Sequence, residues 1–210
     1  PFLGMLAHHV RTQRHGKKAF FNRNFHIEPT NLCIYDCEFC AYAVRYGTDG
    51  GYVMSLEEIE DICRGYVNEP VTEVHIVGGV HPKRDTEFHA DMIRRVKAIL
   101  PQVHVKAFTA VELKVMFARS KATIEEGLAI LREAGLDSLP GGGAEIFHEE
   151  VRSKICDSKA SAENWLQMHE TAHTMGIPSN CTMLYGFDER YEHRVDHMRR
   201  LRELQSRTGG

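Results

Sequence analysis

The sequence predicts an α/β fold, a partial TIM-type barrel of parallel strands with helices outside, and three observations carry that expectation. Strand-like and helix-like segments alternate along the 210 residues, with no linker or low-complexity stretch between them. Such alternation gives a parallel sheet, in either the doubly wound or the barrel form. Residues unusual for a plain turn follow every strand alike, which favours the barrel. A barrel gathers all its strand ends at one mouth, whereas an open sheet concentrates a site at its switch point. Five strand–helix units are too few to close a barrel, so residues 25–210 are expected to form a barrel core incomplete at its C-terminal end, with 1–24 as a helical lead-in.

Taken in order, Phe25 to Thr30 reads as the first strand, ended by Pro29 and a cysteine-rich loop. Ser55-Leu56-Glu57-Glu58 has the spacing of a capping box, so a helix starts there, and Leu56, Ile59, Ile62, Cys63 and Tyr66 keep the helical period. Glu73 to Val77 is the second strand, broken by Gly78-Gly79. A helix from about Glu87 to Leu100 is closed by Pro101, and Val103 to Phe108 is the third strand. Thr123-Ile124-Glu125-Glu126 repeats the capping box and opens a helix that runs to Gly135. Leu136 to Leu139 is a short fourth strand, Ser161 to Met175 a helix stopped by Gly176, Asn180 to Leu184 the fifth strand and Tyr191 to Gln205 a final helix.

An apolar content of 42% is enough for one substantial core. With 26 Lys+Arg against 29 Asp+Glu and a net charge of −3, no basic stripe suggests nucleic acid as a partner. The short basic run Arg11 to Lys18 reads as a solvated helix end. No apolar stretch approaches the roughly 20 residues that span a bilayer, and no signal-peptide pattern is visible, so a cytoplasmic protein with no membrane partner is expected. Six cysteines are too few for a disulfide scaffold. Cys63, Cys156 and Cys181 are scattered and read as small buried hydrophobes.

The remaining cysteines form Cys33-Ile34-Tyr35-Asp36-Cys37-Glu38-Phe39-Cys40, a C-x3-C-x2-C run directly after the first strand. Thiolates are the usual protein ligands of iron–sulfur clusters. Cys33, Cys37 and Cys40 suffice for three corners of a [4Fe–4S] cubane and leave its fourth iron open, as a catalytic metal site requires. Two non-enzyme readings compete. Structural zinc would take a fourth ligand from Cys63 or from one of the 13 histidines, although such sites favour paired C-x2-C knuckles. An electron-transfer protein would ordinarily supply four cysteines and shield its cluster.

With Phe39 before its last cysteine, this run resembles the signature of the radical S-adenosylmethionine (SAM) superfamily. That resemblance implies a (βα)6-like barrel, a cluster whose open iron is chelated by SAM, and an external one-electron donor such as flavodoxin or ferredoxin. The reduced cluster then cleaves the SAM sulfonium to a 5′-deoxyadenosyl radical. It also implies that Gly78 and Gly79 line the methionyl amino group, the competing reading being a turn that needs glycine for its backbone angles. Thr109 and Glu112, beyond the third strand, are candidates for polar contacts to SAM or substrate; Glu112 reads equally as an exposed first-turn residue favoured by the helix dipole. Gly141-Gly142-Gly143 destabilises unless a ligand must approach the backbone, and Glu145 is placed to accept from ribose hydroxyls or an ammonium, the alternative being a flexible loop with a solvated glutamate. Tyr185 is either a pocket residue or a core-edge tyrosine. Most histidines read as solvated, with His26 and His81 the best placed to face the pocket and His193 and His197 on an exposed helix.

A narrower resemblance rests on His26-Ile27-Glu28-Pro29-Thr30-Asn31, on Lys106-Ala107-Phe108-Thr109-Ala110-Val111-Glu112 and on Ser138-Leu139-Pro140-Gly141-Gly142-Gly143-Ala144-Glu145. Together with Thr182 to Gly186 and His193 to His197, these stretches are similar to the aminofutalosine synthase family of the futalosine route to menaquinone. The futalosine-cyclising and deazaflavin (FO) synthase families share the cysteine loop. Many relatives carry histidine where this chain has Phe187. The resemblance implies addition of the 5′-deoxyadenosyl radical to the enol ether of 3-[(1-carboxyvinyl)oxy]benzoate, giving 6-amino-6-deoxyfutalosine. Arg45, Lys106 and backbone N–H groups at helix starts are then candidates to meet the substrate's two carboxylates.

Overall fold

The structure, a computed structural model, describes residues 1–210. It begins with α1 (Phe2–His15), none of whose residues is buried. After β1 (Asn24–Ile27) the cysteine loop carries two short segments, β2 (Leu32–Cys33) and β3 (Val44–Arg45), which pair in parallel and place Cys33 opposite Arg45. Then come α2 (Leu56–Arg64), β4 (Glu73–Ile76), α3 (Thr86–Ile99), β5 (His104–Ala107), α4 (Ala110–Ser120), α5 (Ile124–Ala134), α6 (Glu149–Cys156), α7 (Ala162–Thr174) and α8 (Tyr191–Thr208).

The sheet is parallel, in the order β1-β4-β5. Its register sets the two faces. Phe25, Val74 and Val105 align in one row, and Ile27, Ile76 and Ala107 in another; all six are buried. This face packs on the helices, with Ile59, Ile93, Leu113 and Leu128 fully enclosed beneath it. The intervening row, His26, His75 and Lys106, points to the inner side of the curved sheet. Cys63 lies in the core with the apolar face of α2, as expected of a small hydrophobe.

Local capping chemistry places the helix starts. Ser55 and Thr123 each accept from the backbone three residues on, while the glutamate there reaches back to the cap N–H. The expected fourth and fifth strands are corrected. Leu136–Leu139 joins the sheet by a single parallel bridge, Lys106 to Ser138, while Asn180–Leu184 carries none, the bridge from Leu139 falling on Ser179 just before it. Pro140 has no N–H for a ladder, and by Gly143 and Glu145 the backbone has turned to positive φ (83° and 47°), so the chain leaves the sheet there. Two helices were not foreseen, α4 and α6.

The expectation of mostly solvated histidines is also corrected: His169, His193 and His197 are buried. α8 is so rich in charge that histidines serve as its inner face. His197 stacks on Phe147 at 4.1 Å, accepts the Phe147 N–H at Nδ1 and donates from Nε2 to the Thr182 carbonyl at 2.9 Å. No helix is long and apolar enough to cross a membrane.

Candidate active site

The mouth of the sheet, at the C-terminal ends of its strands, holds a cavity of about 140 Å³ walled by the cysteine loop, by Gly78 and Gly79, by Thr109, by Gly143 and by Lys159. The segments that follow all three strands of the sheet therefore meet at one place, joined by the Gly143 and Lys159 loops, as the barrel expectation requires. Cys33 is buried, Cys37 half-buried and Cys40 exposed, and all three are free thiols facing this cavity. The Cys33 sulfur receives backbone N–H groups from Tyr35 (3.4 Å) and Val80 (3.3 Å), which fix its position at the cavity wall. Burial pushes the Cys37 thiol up, and the Lys159 ammonium works against that shift.

These residues fit a cubane better than a single zinc ion. Zn–S bonds of about 2.3 Å in a tetrahedron bring sulfurs to about 3.8 Å from one another. The cysteine loop has no trio of ligand atoms mutually within 4.8 Å, and no histidine or carboxylate joins the thiols as a fourth ligand. Cys63, the cysteine considered for that role, is enclosed in the core, its thiol pushed up to about 11 by burial. Cys156 is nearer. It belongs to an apolar cluster, with Ile146, Val151 and Ile155, against which Cys37 and Phe39 pack.

Gly78 and Gly79 have no positive φ, so a turn's backbone angles do not explain them. Close approach does: a Cβ on Gly79 would lie 2.3 Å from the Leu32 carbonyl oxygen, and one on Gly78 would lie 2.8 Å from that of Thr30. The pair is pressed onto the strand that delivers Cys33. The three later glycines have a similar cause, since a Cβ on Gly141 would meet the Cys181 backbone at 2.6 Å and one on Gly143 the Val111 side chain at 2.5 Å. Part of the glycine requirement attributed to a ligand thus belongs to the protein's own packing.

Glu112 is neither an exposed first-turn residue nor a free contact. It is buried; Oε1 accepts from Gly78 N–H (3.1 Å), and Oε2 from both the N–H (2.7 Å) and the hydroxyl (2.6 Å) of Thr109. Burial pushes its carboxyl up to about 7, against the pull of those donors. Glu112 positions two cavity walls relative to each other. Glu145 is buried in a 2.6 Å ion pair with Lys159, whose ammonium sits 5.0 Å over the Phe39 ring. Burial pulls the Lys159 ammonium down, but the charge and hydrogen bond of Glu145 leave it raised. Lys159 was not foreseen: the stretch Cys156 to Ser161 reads as a polar loop, and only the fold brings its ammonium to the cysteines.

The other expected residues divide by place. Lys106 lines a second recess, with His75, Thr109, Gly141 and Asn180, on the inner side of the sheet. Its ammonium is turned to the strand starts and held by Glu73 at 2.9 Å and 3.0 Å from the two oxygens. Thr109 lines both recesses. His26 is exposed on the same sheet face, its ring 5.0 Å from that of His75. His81 faces a neighbouring recess with Arg84 and His89, not the cysteine cavity. Arg45 is exposed on β3, outside both recesses. Tyr185, 64% exposed, lies on the surface with the Arg194 guanidinium 5.2 Å above its ring.

Comparison with known proteins agrees with this geometry. The chain is 45% identical over 210 residues to an aminodeoxyfutalosine synthase of Thermus thermophilus, covering 100% of the chain and 56% of that protein. It is 44% identical to the enzyme of the same name from Streptomyces coelicolor, covering 100% of the chain and 54% of the relative. A 5-amino-6-(D-ribitylamino)uracil–L-tyrosine 4-hydroxyphenyl transferase of Methanothermobacter thermautotrophicus is 40% identical, over 99% of the chain and 57% of that enzyme. The chain thus spans about half the length of these relatives. Among solved structures, methylornithine synthase superposes with a TM-score of 0.73 at 20% identity, over 95% of this chain and 55% of the other, a likeness of fold. The sequence profile of the radical SAM superfamily matches residues 27–201, which takes in every wall of the cysteine cavity, and the chain belongs to that superfamily.

Proposed function

We propose that the protein carrying this chain joins the 5′-deoxyadenosyl group of SAM to 3-[(1-carboxyvinyl)oxy]benzoate, forming 6-amino-6-deoxyfutalosine for menaquinone. The observation that carries this reading is the 45% identity, sustained along all 210 residues, to an aminodeoxyfutalosine synthase. When bound, a [4Fe–4S] cluster and SAM supply a 5′-deoxyadenosyl radical, given one electron from an outside donor such as flavodoxin or ferredoxin.

The chain's own residues have distinct tasks in this reading. Cys33, Cys37 and Cys40 hold the cluster, and Phe39 closes the cavity beside it. The N–H groups of Gly78 and Gly79 are already engaged, by Glu112 (3.1 Å) and by the Thr30 carbonyl (2.7 Å), so it is their carbonyls that remain to accept an ammonium group. Lys159 offers the cavity a cation for a carboxylate, while Glu145 keeps that cation in place. Thr109, common to both recesses, marks where the nucleoside end of one ligand meets the aromatic acid in the other. Cavity walls rich in apolar side chains exclude water from a reactive radical.

The reading is tested by incubating the anaerobic, cluster-loaded protein with SAM, a reductant and the enol-ether benzoate, and following products by mass spectrometry. Formation of 6-amino-6-deoxyfutalosine is expected. Consumption of tyrosine with a ribitylaminouracil instead would overturn it in favour of the transferase chemistry named for the 40% identical relative.

A further inference from the structure

Away from the cysteine mouth, three metal-ligating side chains converge where two helices begin. His148 is the N-cap residue of α6, yet its side chain makes no capping bond; Glu150 lies in the first turn of α6. His193 occupies the first turn of α8. One ligand atom from each lies within 4.8 Å of the others, and no other trio of His, Cys, Asp or Glu in the chain converges so closely. The two imidazoles stack, with centroids 4.1 Å apart and planes at 20°.

The bonding of this cluster is incomplete. His193 is only 2% exposed, and its Nδ1 accepts the Arg190 N–H at 3.2 Å. Its Nε2 is buried without a partner, as is Nδ1 of His148. Glu150 holds Oε2 at 3.8 Å from His193 Nε2, too far for a hydrogen bond, while its Oε1 is 3.7 Å from the Arg190 guanidinium. Buried polar atoms are nearly always satisfied, and two ring nitrogens beside one carboxylate form a donor set suited to an ion.

We propose that His148, Glu150 and His193 bind a divalent first-row metal ion, two imidazoles and a carboxylate being a donor set that zinc accepts. Coordination through Nε2 of His193 needs the ring proton on Nδ1, so the ion's bond replaces the long contact to Arg190. The ion joins the start of α6 to the start of α8. The far end of α6 supports the cysteine loop: the Ile155 carbonyl accepts the Glu38 N–H at 3.3 Å, and Cys37 and Phe39 pack on its apolar side. The site is a brace behind the cluster and takes no part in the radical chemistry.

The test uses intact, cluster-loaded protein under nitrogen. Titration with zinc should give one equivalent bound beyond the cluster iron, with affinity weakened about tenfold or more in Glu150→Gln and in His148→Ala. His148 is half-buried and Glu150 exposed, so these variants spare the core in which His193 is enclosed. X-ray absorption at the zinc edge, which the cluster iron does not obscure, should show nitrogen and oxygen neighbours at about 2.0–2.2 Å and no sulfur at about 2.3 Å. Equal zinc affinity in wild type and both variants, absence of saturable binding, or a zinc–sulfur neighbour at about 2.3 Å reporting cysteine ligation would each overturn the proposal.

Discussion

Glu112 and Glu145 stand at the same mouth, one at the head of α4 and the other on the loop before α6, and the chain treats their carboxylates in opposite ways. Glu112 is surrounded by neutral donors, two backbone N–H groups and a hydroxyl, and burial lifts its carboxyl up to about 7. Glu145 is met by a full positive charge, Lys159, at 2.6 Å. The first arrangement binds two parts of the scaffold together and leaves no donor over. The second neutralises a charge with a partner that also faces the cavity, and so can be shared with an incoming anion. One wall of the site is fixed by dipoles, the other by an exchangeable ion pair.

The largest expected effect comes from breaking the ion pair on one side only. Lys159→Met strands a buried carboxylate and should cost about 3 kcal/mol in chemical unfolding, whereas Lys159→Met with Glu145→Leu should recover most of it. A double variant no more stable than the single would mean that the pair's charges are not what matters. Glu112→Gln comes next. Its two oxygens serve three donors, so an amide turns an NH2 group toward a backbone N–H whichever way it is placed, at about 1–3 kcal/mol.

The third prediction concerns pH and separates the two glutamates. Because the folded-state value of Glu112 is raised from 4.5 to about 7, folded protein holds this proton more tightly than unfolded. The stability this group contributes is complete below about 4.5 and is lost as pH rises through about 7. The advantage of wild type over Glu112→Gln should therefore shrink across that window; an advantage independent of pH would break the claim. Smallest of all, Arg45→Ala and Tyr185→Phe should change stability by less than about 0.5 kcal/mol and leave KM unaltered, since both side chains lie outside the recesses. A raised KM for Arg45→Ala would return that residue to the site.

What could be read in advance follows the range of the interactions. The cysteine trio and the caps at Ser55 and Thr123 are local, determined by residues a few positions apart. Thr109 and Glu112 have the same spacing, but apolar residues on both sides of Thr109, Ala107-Phe108 and Ala110-Val111, mask the point where strand gives way to helix. α6 offers no such cue, because His148 makes no capping bond. The approach of Lys159 to the cysteines and the burial of three histidines are tertiary facts. In α8 the inner face is imidazole, so the apolar period by which buried faces are found is missing.

The short parallel ladder of β2 and β3 has a consequence for how the protein meets iron. Both ends of the ligand-bearing segment are anchored by backbone bonds, Val44 N–H to the Asn31 carbonyl at 2.8 Å and Tyr46 N–H to that of Cys33 at 3.2 Å. The chain between is closed into a loop by the protein's own backbone bonds, which do not depend on the thiols, so cluster assembly should order few further residues. Losing it to oxygen should accordingly leave an intact scaffold, able to be refilled, rather than an unravelled one.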